Sequence, residues 1–256
     1  MIISTSYNVN KSILNKAQEL SSKYSLTFVP REKHTLKQLF ERYQCPVIIV
    51  TGTHIRYHSQ DSEVYFHPNL AQVRSKRIAD GQTDALIEIS QLKPGMSLLD
   101  CTLGLGADSL IASQVVGNSG RLVATESNFV MYLITSEGLK YYPFENPILW
   151  EASKRIEMHH QNAFDFLKKQ DENSFDVVYF DPMFDSDINE TTPFNHVRRI
   201  ADYSPLNHET IAEAKRVAKQ CVIMKNHYLS DTFKSLGFIQ QKRKTSQFHY
   251  GVIKID

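Results

Sequence analysis

Short apolar runs alternate with patches of helical period along most of the chain. The first sixty-odd residues read as strand Met1 to Tyr7, helix Lys11 to Lys23 and strand Leu26 to Val29. Helix Leu36 to Tyr43 follows, then two strands, Pro46 to Thr51 and His54 to His58, joined across Gly52. That is too little for a complete doubly wound sheet, so residues 1–65 are expected to form a small α/β appendage. The run Ile48-Ile49-Val50-Thr51-Gly52 has the look of a nucleotide-binding strand and turn, but no glycine-rich loop opening a helix comes after it.

From Phe66 to Ile89 the pattern is polar and then amphipathic and helical, and from Gly95 it becomes regular. Strands Ser97 to Cys101, Arg121 to Thr125, Arg155 to His159, Asp176 to Phe180 and Cys221 to Met224 are expected. Helices Ala107 to Val116, Asn128 to Tyr141, Ala163 to Lys169 and Pro205 to Ala218 lie between them. Such alternation predicts βαβ units and a largely parallel, Rossmann-like sheet over residues 66–256. A hairpin of Gly237 to Gln241 and Phe248 to Ile255 closes the chain.

Composition narrows the picture only a little. Lys plus Arg is 29 against 28 Asp plus Glu, so any nucleic-acid contact must come from a local basic patch. Cys45, Cys101 and Cys221 are widely spaced beside apolar runs, which reads as buried thiols of a reducing, cytoplasmic compartment without a metal site. Neither a signal-like leader nor a membrane-spanning run of about 18 apolar residues is expected.

Chemistry-bearing residues gather where strands are predicted to end. In Asp100-Cys101-Thr102-Leu103-Gly104-Leu105-Gly106 an acidic residue closes a strand and two glycines lead into a helix, so backbone can approach a ligand closely. A dinucleotide loop is the alternative. Ser109 stands where that loop would carry its third glycine, and the Asp100 charge would repel a pyrophosphate while suiting the cationic amino-acid end of S-adenosylmethionine. Glu126 closes the next strand, where a carboxylate holds ribose hydroxyls. Gln161-Asn162-Ala163 follows the third strand, placed for an adenine edge and equally suited to a helix cap. After the fourth come Asp181-Pro182-Met183-Phe184, a carboxylate, a rigid turn and an aromatic, suited to holding a flat base that bears an amine.

These motifs resemble class I S-adenosylmethionine-dependent methyltransferases from about Phe66 to the C-terminus. They are more closely similar to the bacterial family that methylates a guanine exocyclic amine in 16S ribosomal RNA. The stretch Asp100 to Asp108 matches that family's first motif, Phe180-Asp181-Pro182-Met183-Phe184 its Leu-Asp-Pro-Met-aromatic motif, and Val222-Ile223-Met224-Lys225 its late strand. The resemblance implies a seven-stranded methyltransferase sheet with the last strand antiparallel, and an RNA partner in the small ribosomal subunit. It implies cofactor contacts from Asp100, Thr102, Gly104, Gly106, Asp108, Glu126, Ser127, Asn162, Ala163 and Asp181. Asp181 and the Pro182 carbonyl are expected to accept the amine's N–H bonds while Phe184 stacks on the base. Met183, Arg74, Arg77, Arg198, Arg199 and Lys225 are expected to meet substrate, the cations through phosphate. The chain departs from the family at Asp185 and Ser186, where a proline and a basic residue are usual, and in the reduced basic segment Arg74 to Gly81. DNA, protein or small-amine methylation, or a catalytically silent RNA-associated protein, are the competing readings.

Overall fold

A computed structural model describes residues 1–182, 206–244 and 246–255. The chain divides into two compact units. Among described residues the first comprises Met1–His67 and Leu133–Pro143.

The first unit is built on a five-stranded sheet of β1 (Ile2–Thr5), β2 (Thr27–Phe28), β3 (Val47–Val50), β4 (Ile55–His58) and β5 (Glu63–Tyr65), in the order β2-β1-β3-β4-β5. The first three strands are parallel and the last two add antiparallel. Helix α1 (Lys11–Tyr24) starts where the Asn10 side chain accepts from the Ile13 amide, and it buries Ile13, Ala17 and Leu20 at helical spacing. Helix α2 (Leu36–Tyr43) opens with a reciprocal capping box between Thr35 and Gln38, and its Leu39 packs with Ile2, Val29, Val47 and Ile49.

In the second unit the chain runs α3 (Asn69–Ala79), α4 (Ala85–Ser90), β6 (Ser97–Asp100), α5 (Ala107–Val116), β7 (Arg121–Glu126) and the start of α6 (Phe129–Tyr141), whose residues from Leu133 onward belong to the first unit. Then come α7 (Pro147–Lys154), β8 (Ile156–His160), α8 (Ala163–Leu167) and β9 (Phe175–Phe180). Beyond residue 205 lie α9 (His208–Val217), β10 (Ala218–His227), α10 (Thr232–Ser235), β11 (Ile239–Gln241) and β12 (Phe248–Lys254). The sheet order is β11-β12-β10-β9-β6-β7-β8. Strand β12 is antiparallel to both its neighbours and the other pairings are parallel, as the resemblance implied. Val178, Phe180, Val222 and Met224 are buried on strands with Ile211, Ala214 and Val217 of α9 over them.

Three elements had no counterpart in the apolar pattern, one of them the four-residue α10. Strand β5 is three residues long, and α7 is a single short helix begun by Asn146, which caps the Ile148 amide, with Pro147 in its first turn. The central strands gather the chemistry at their carboxyl ends. The chain leaves β6 to one side through β7 and β8 and returns on the other at β9, so β6 and β9 flank the switch point where an open α/β sheet leaves a crevice.

Candidate active site

Asp100 and Asp181 stand at the carboxyl ends of these two adjacent strands. The Cys101 amide donates to the Tyr179 carbonyl at 2.8 Å, and the Asp181 amide donates to the Thr102 hydroxyl at 2.6 Å, so both strand ends are tied together. Beyond Thr102 the loop turns through Gly104 (φ 52°) and Gly106 (φ 74°), left-handed conformations that glycine adopts without strain. The Gly104 amide donates to Glu126 Oε2 at 3.0 Å and the Asn128 amide to Glu126 Oε1 at 2.9 Å. That fixes a carboxylate at the end of β7, facing the loop.

Asp100 does not extend into the loop as expected. It is 1 % exposed, accepts from the Ser109 hydroxyl at 2.6 Å and the Thr102 amide at 3.0 Å, and so shapes the loop from below. Burial pushes its carboxyl up to about 7 against the pull of those two donors. Ser109, the residue that breaks the dinucleotide pattern, is the one that holds it.

Between the switch point and α3 lies a chain of ion pairs. Arg74 takes Asp84 with both ends of its fork, at 2.8 and 2.9 Å, and also contacts Asp108. Lys225 Nζ lies 3.6 Å from Asp108 Oδ2 and donates to Asp181 Oδ2 at 2.6 Å. The Tyr179 hydroxyl donates to Asp108 at 3.0 Å. Burial alone would raise Asp108, but Lys225 and Arg74 beside it bring its carboxyl down to about 2. Burial likewise works against the Lys225 charge and is outweighed by Asp181 and Asp108, which hold the ammonium above the ordinary lysine range. Burial raises Asp181 in turn, with Lys225 opposing it.

This arrangement revises three expectations. Arg74 is spent on carboxylates and only 12 % exposed, so it is not offered to a substrate phosphate. Lys225 serves carboxylates for the same reason. The Asn162 side chain accepts from the Phe164 amide at 2.9 Å and caps α8, the alternative its position allowed. Ser127 and Ala163 are half-buried at neighbouring strand ends, and His160 Nε2 there donates to the Ser127 carbonyl at 3.1 Å while its ring stacks on Tyr132. Arg77 is exposed on α3. Met183, Phe184, Asp185, Ser186, Arg198 and Arg199 lie outside the described residues. Asp84 and Tyr179 were not singled out from sequence. Asp84 sits as an N-cap before Ala85, which is a signal for a helix start and conceals its second partner.

The Cys101 and Cys221 thiols are buried and Cys45 is half-buried. Among the described residues no helix is long and apolar enough to cross a membrane.

Comparison with known proteins supplies the context. Residues 33–248 match the model of a family described as "Putative SAM-dependent methyltransferase". The uncharacterized protein YpiP of Bacillus subtilis is 35 % identical over 254 residues, 99 % of each chain. Ribosomal RNA small subunit methyltransferase J of Acinetobacter baylyi is 28 % identical over 116 residues, 44 % of this chain and 42 % of that one. In fold the chain is similar to the crystal structure of the SAM-dependent methyltransferase NGO1261 from Neisseria gonorrhoeae. The TM-score is 0.66 at 18 % identity, with 99 % of this chain and 96 % of that chain covered.

Proposed function

The chain belongs to this family of SAM-dependent methyltransferases, and from that premise we propose that it methylates an exocyclic amine of an RNA base, a ribosomal guanine first among candidates. The similarity to ribosomal RNA small subunit methyltransferase J supports the RNA assignment, and a cytoplasmic location follows from such a substrate. The observation that carries the reading is Asp181, held by Lys225 at the switch point yet 24 % exposed and therefore within reach of a ligand.

The donor set suits the cofactor. Two cations, Arg74 and Lys225, are linked to three carboxylates, Asp84, Asp108 and Asp181, leaving the cluster one negative charge in excess. That excess favours a cationic ligand over a pyrophosphate. In this reading the Gly104 to Gly106 turn admits the amino-acid end, Glu126 accepts from ribose hydroxyls, and Ser127 and Ala163 border the adenine. Thr102 and Asp100 act on that site by fixing the loop. S-adenosylmethionine supplies the electrophilic methyl group.

An exocyclic base amine is a poor nucleophile because its lone pair is delocalised into the ring. Accepting its N–H bonds enriches the nitrogen and orients it. Asp181 Oδ2 is engaged by Lys225, so Oδ1 and the Pro182 carbonyl are the acceptors. The positive charge that develops on nitrogen is stabilised by the same carboxylate, which is already in place and needs no reorganisation. Phe184 provides the stacking face. Proton loss follows transfer, without a strong general base.

The experiment is mass spectrometry of nucleosides from ribosomal and transfer RNA of cells lacking the protein. One methylated base amine is expected to disappear and to return when purified protein and S-adenosylmethionine are added to that RNA. Unchanged levels of every methylated nucleoside would remove RNA as the substrate and favour a small amine. Thermal stabilisation by S-adenosylmethionine and not by NAD is the accompanying cofactor check.

A further inference from the structure

Arg31, in the first unit, is unlike the paired arginines Arg56 and Arg74. It is 7 % exposed, and its Nε and Nη1 are buried with no hydrogen-bond partner. Arg56 has Glu63 at 2.6 Å and Arg74 has two carboxylates, whereas no described carboxylate pairs with Arg31. A guanidinium withdrawn from water without a counter-charge is unfavourable, and such a group is retained where an anion completes it.

Its position is that of a ligand-binding residue. Strands β1 and β2 are parallel neighbours with Ile3 opposite Phe28, and the Val29 amide continues the ladder to the Ile3 carbonyl. Tyr7 and Arg31 therefore both follow the carboxyl ends of adjacent parallel strands, the edge at which α/β sheets collect ligands. The Arg31 guanidinium lies 4.6 Å from the centre of the Tyr7 ring, and Tyr7 is 54 % exposed, so the ring stands between the guanidinium and solvent. The 14-residue helix α1 begins four residues after Tyr7, with no acidic residue in its first turn, an N-terminus whose dipole favours negative charge.

We propose that this edge of the first unit binds a phosphate group, with Arg31 as its principal ligand and Tyr7 as the cover. A tetrahedral phosphate can take the forked guanidinium donors and the first turn of α1 together, which one planar carboxylate cannot. The group is either free phosphate, including that of a mononucleotide, or the backbone of a polynucleotide. The proposal does not depend on the reading given for the methyl-transfer residues.

The test is thermal unfolding and calorimetric titration of the full chain at matched ionic strength, with chloride as the control salt. Inorganic phosphate at about 10 mM is expected to raise the melting temperature of the natural protein and not of Arg31→Met. In chloride alone Arg31→Met is expected to be no less stable than the natural protein, since it removes an unpaired buried charge. Equal phosphate stabilisation of both proteins, or of neither, overturns the proposal. Should Arg31→Met not fold, Arg31→Lys decides instead: it keeps the charge and loses the fork, and its phosphate affinity should fall about tenfold. Unchanged affinity overturns the site. Adenosine monophosphate and a short single-stranded RNA distinguish the sources. Arg31-dependent RNA binding that inorganic phosphate displaces identifies a backbone site, whereas Arg31-dependent binding of phosphate or monophosphate alone identifies a free-phosphate site.

Discussion

Two carboxylates at neighbouring strand ends, Asp100 and Asp181, have opposite surroundings. Asp100 is sealed among neutral donors and Asp181 faces Lys225 at a partly open position. The folded protein thus favours the protonated form of Asp100 relative to the unfolded chain. That contribution is full below the ordinary carboxylate range and is lost as pH rises through about 7. Denaturant titrations at pH 5 and pH 8 should show the natural protein losing stability across that step, and Asp100→Asn losing less. Asp108 has the reverse sign, because its carboxyl is held down to about 2. Its contribution is present above the ordinary carboxylate range and disappears as pH falls toward 2, which Asp108→Asn should abolish. For transfer, Asp181→Ala should lower kcat by about 10²-fold or more, and should weaken S-adenosylmethionine binding by a much smaller factor, because it removes the cluster's excess negative charge and leaves the Gly104 to Gly106 turn and Glu126 in place. Lys225→Met removes the cation shared by Asp181 and Asp108 and should cost roughly 3 kcal/mol in stability as well as activity, read by urea unfolding.

Helices and strands are decided by local signals in most cases. Leu36–Tyr43 is legible to the residue because its capping box and its apolar face agree. Strand β5 and helix α7 are not, because three and eight residues carry too short a period to separate from loop. Helix α6 was legible as a helix, but not the reason for Gly138 within it. A Cβ at that position would lie 2.1 Å from the Phe66 ring, so the helix and the segment after β5 meet with no room for a side chain. Gly138→Ala should therefore destabilise by about 1–3 kcal/mol despite alanine's better helix propensity. Guanidinium unfolding followed by circular dichroism measures it, and a gain in stability would contradict the packing.

At the scale of the molecule, the first unit reclaims Leu133–Pro143 from far along the chain. There Glu137, buried, receives Lys23 Nζ at 2.6 Å and the Tyr24 hydroxyl at 2.7 Å. A fragment starting at residue 68 would strand that carboxylate without its partners, and it should be markedly less cooperative in thermal unfolding than the full chain. The sequence by itself determined the succession of strands and helices, the parallel character of the second sheet, and which strand ends carry Asp100, Glu126 and Asp181. Those features rest on periodicity and turn chemistry, which act over a few residues. Only the tertiary structure decided what those residues touch. Arg74 meets Asp108 across 34 positions of chain and Lys225 meets Asp181 across 44, pairings created by the order in which strands lie side by side. Burial then turned one strand-end aspartate into a structural support of the loop and left another at the crevice, because the cost of desolvating a charge depends on its surroundings and not on its residue type.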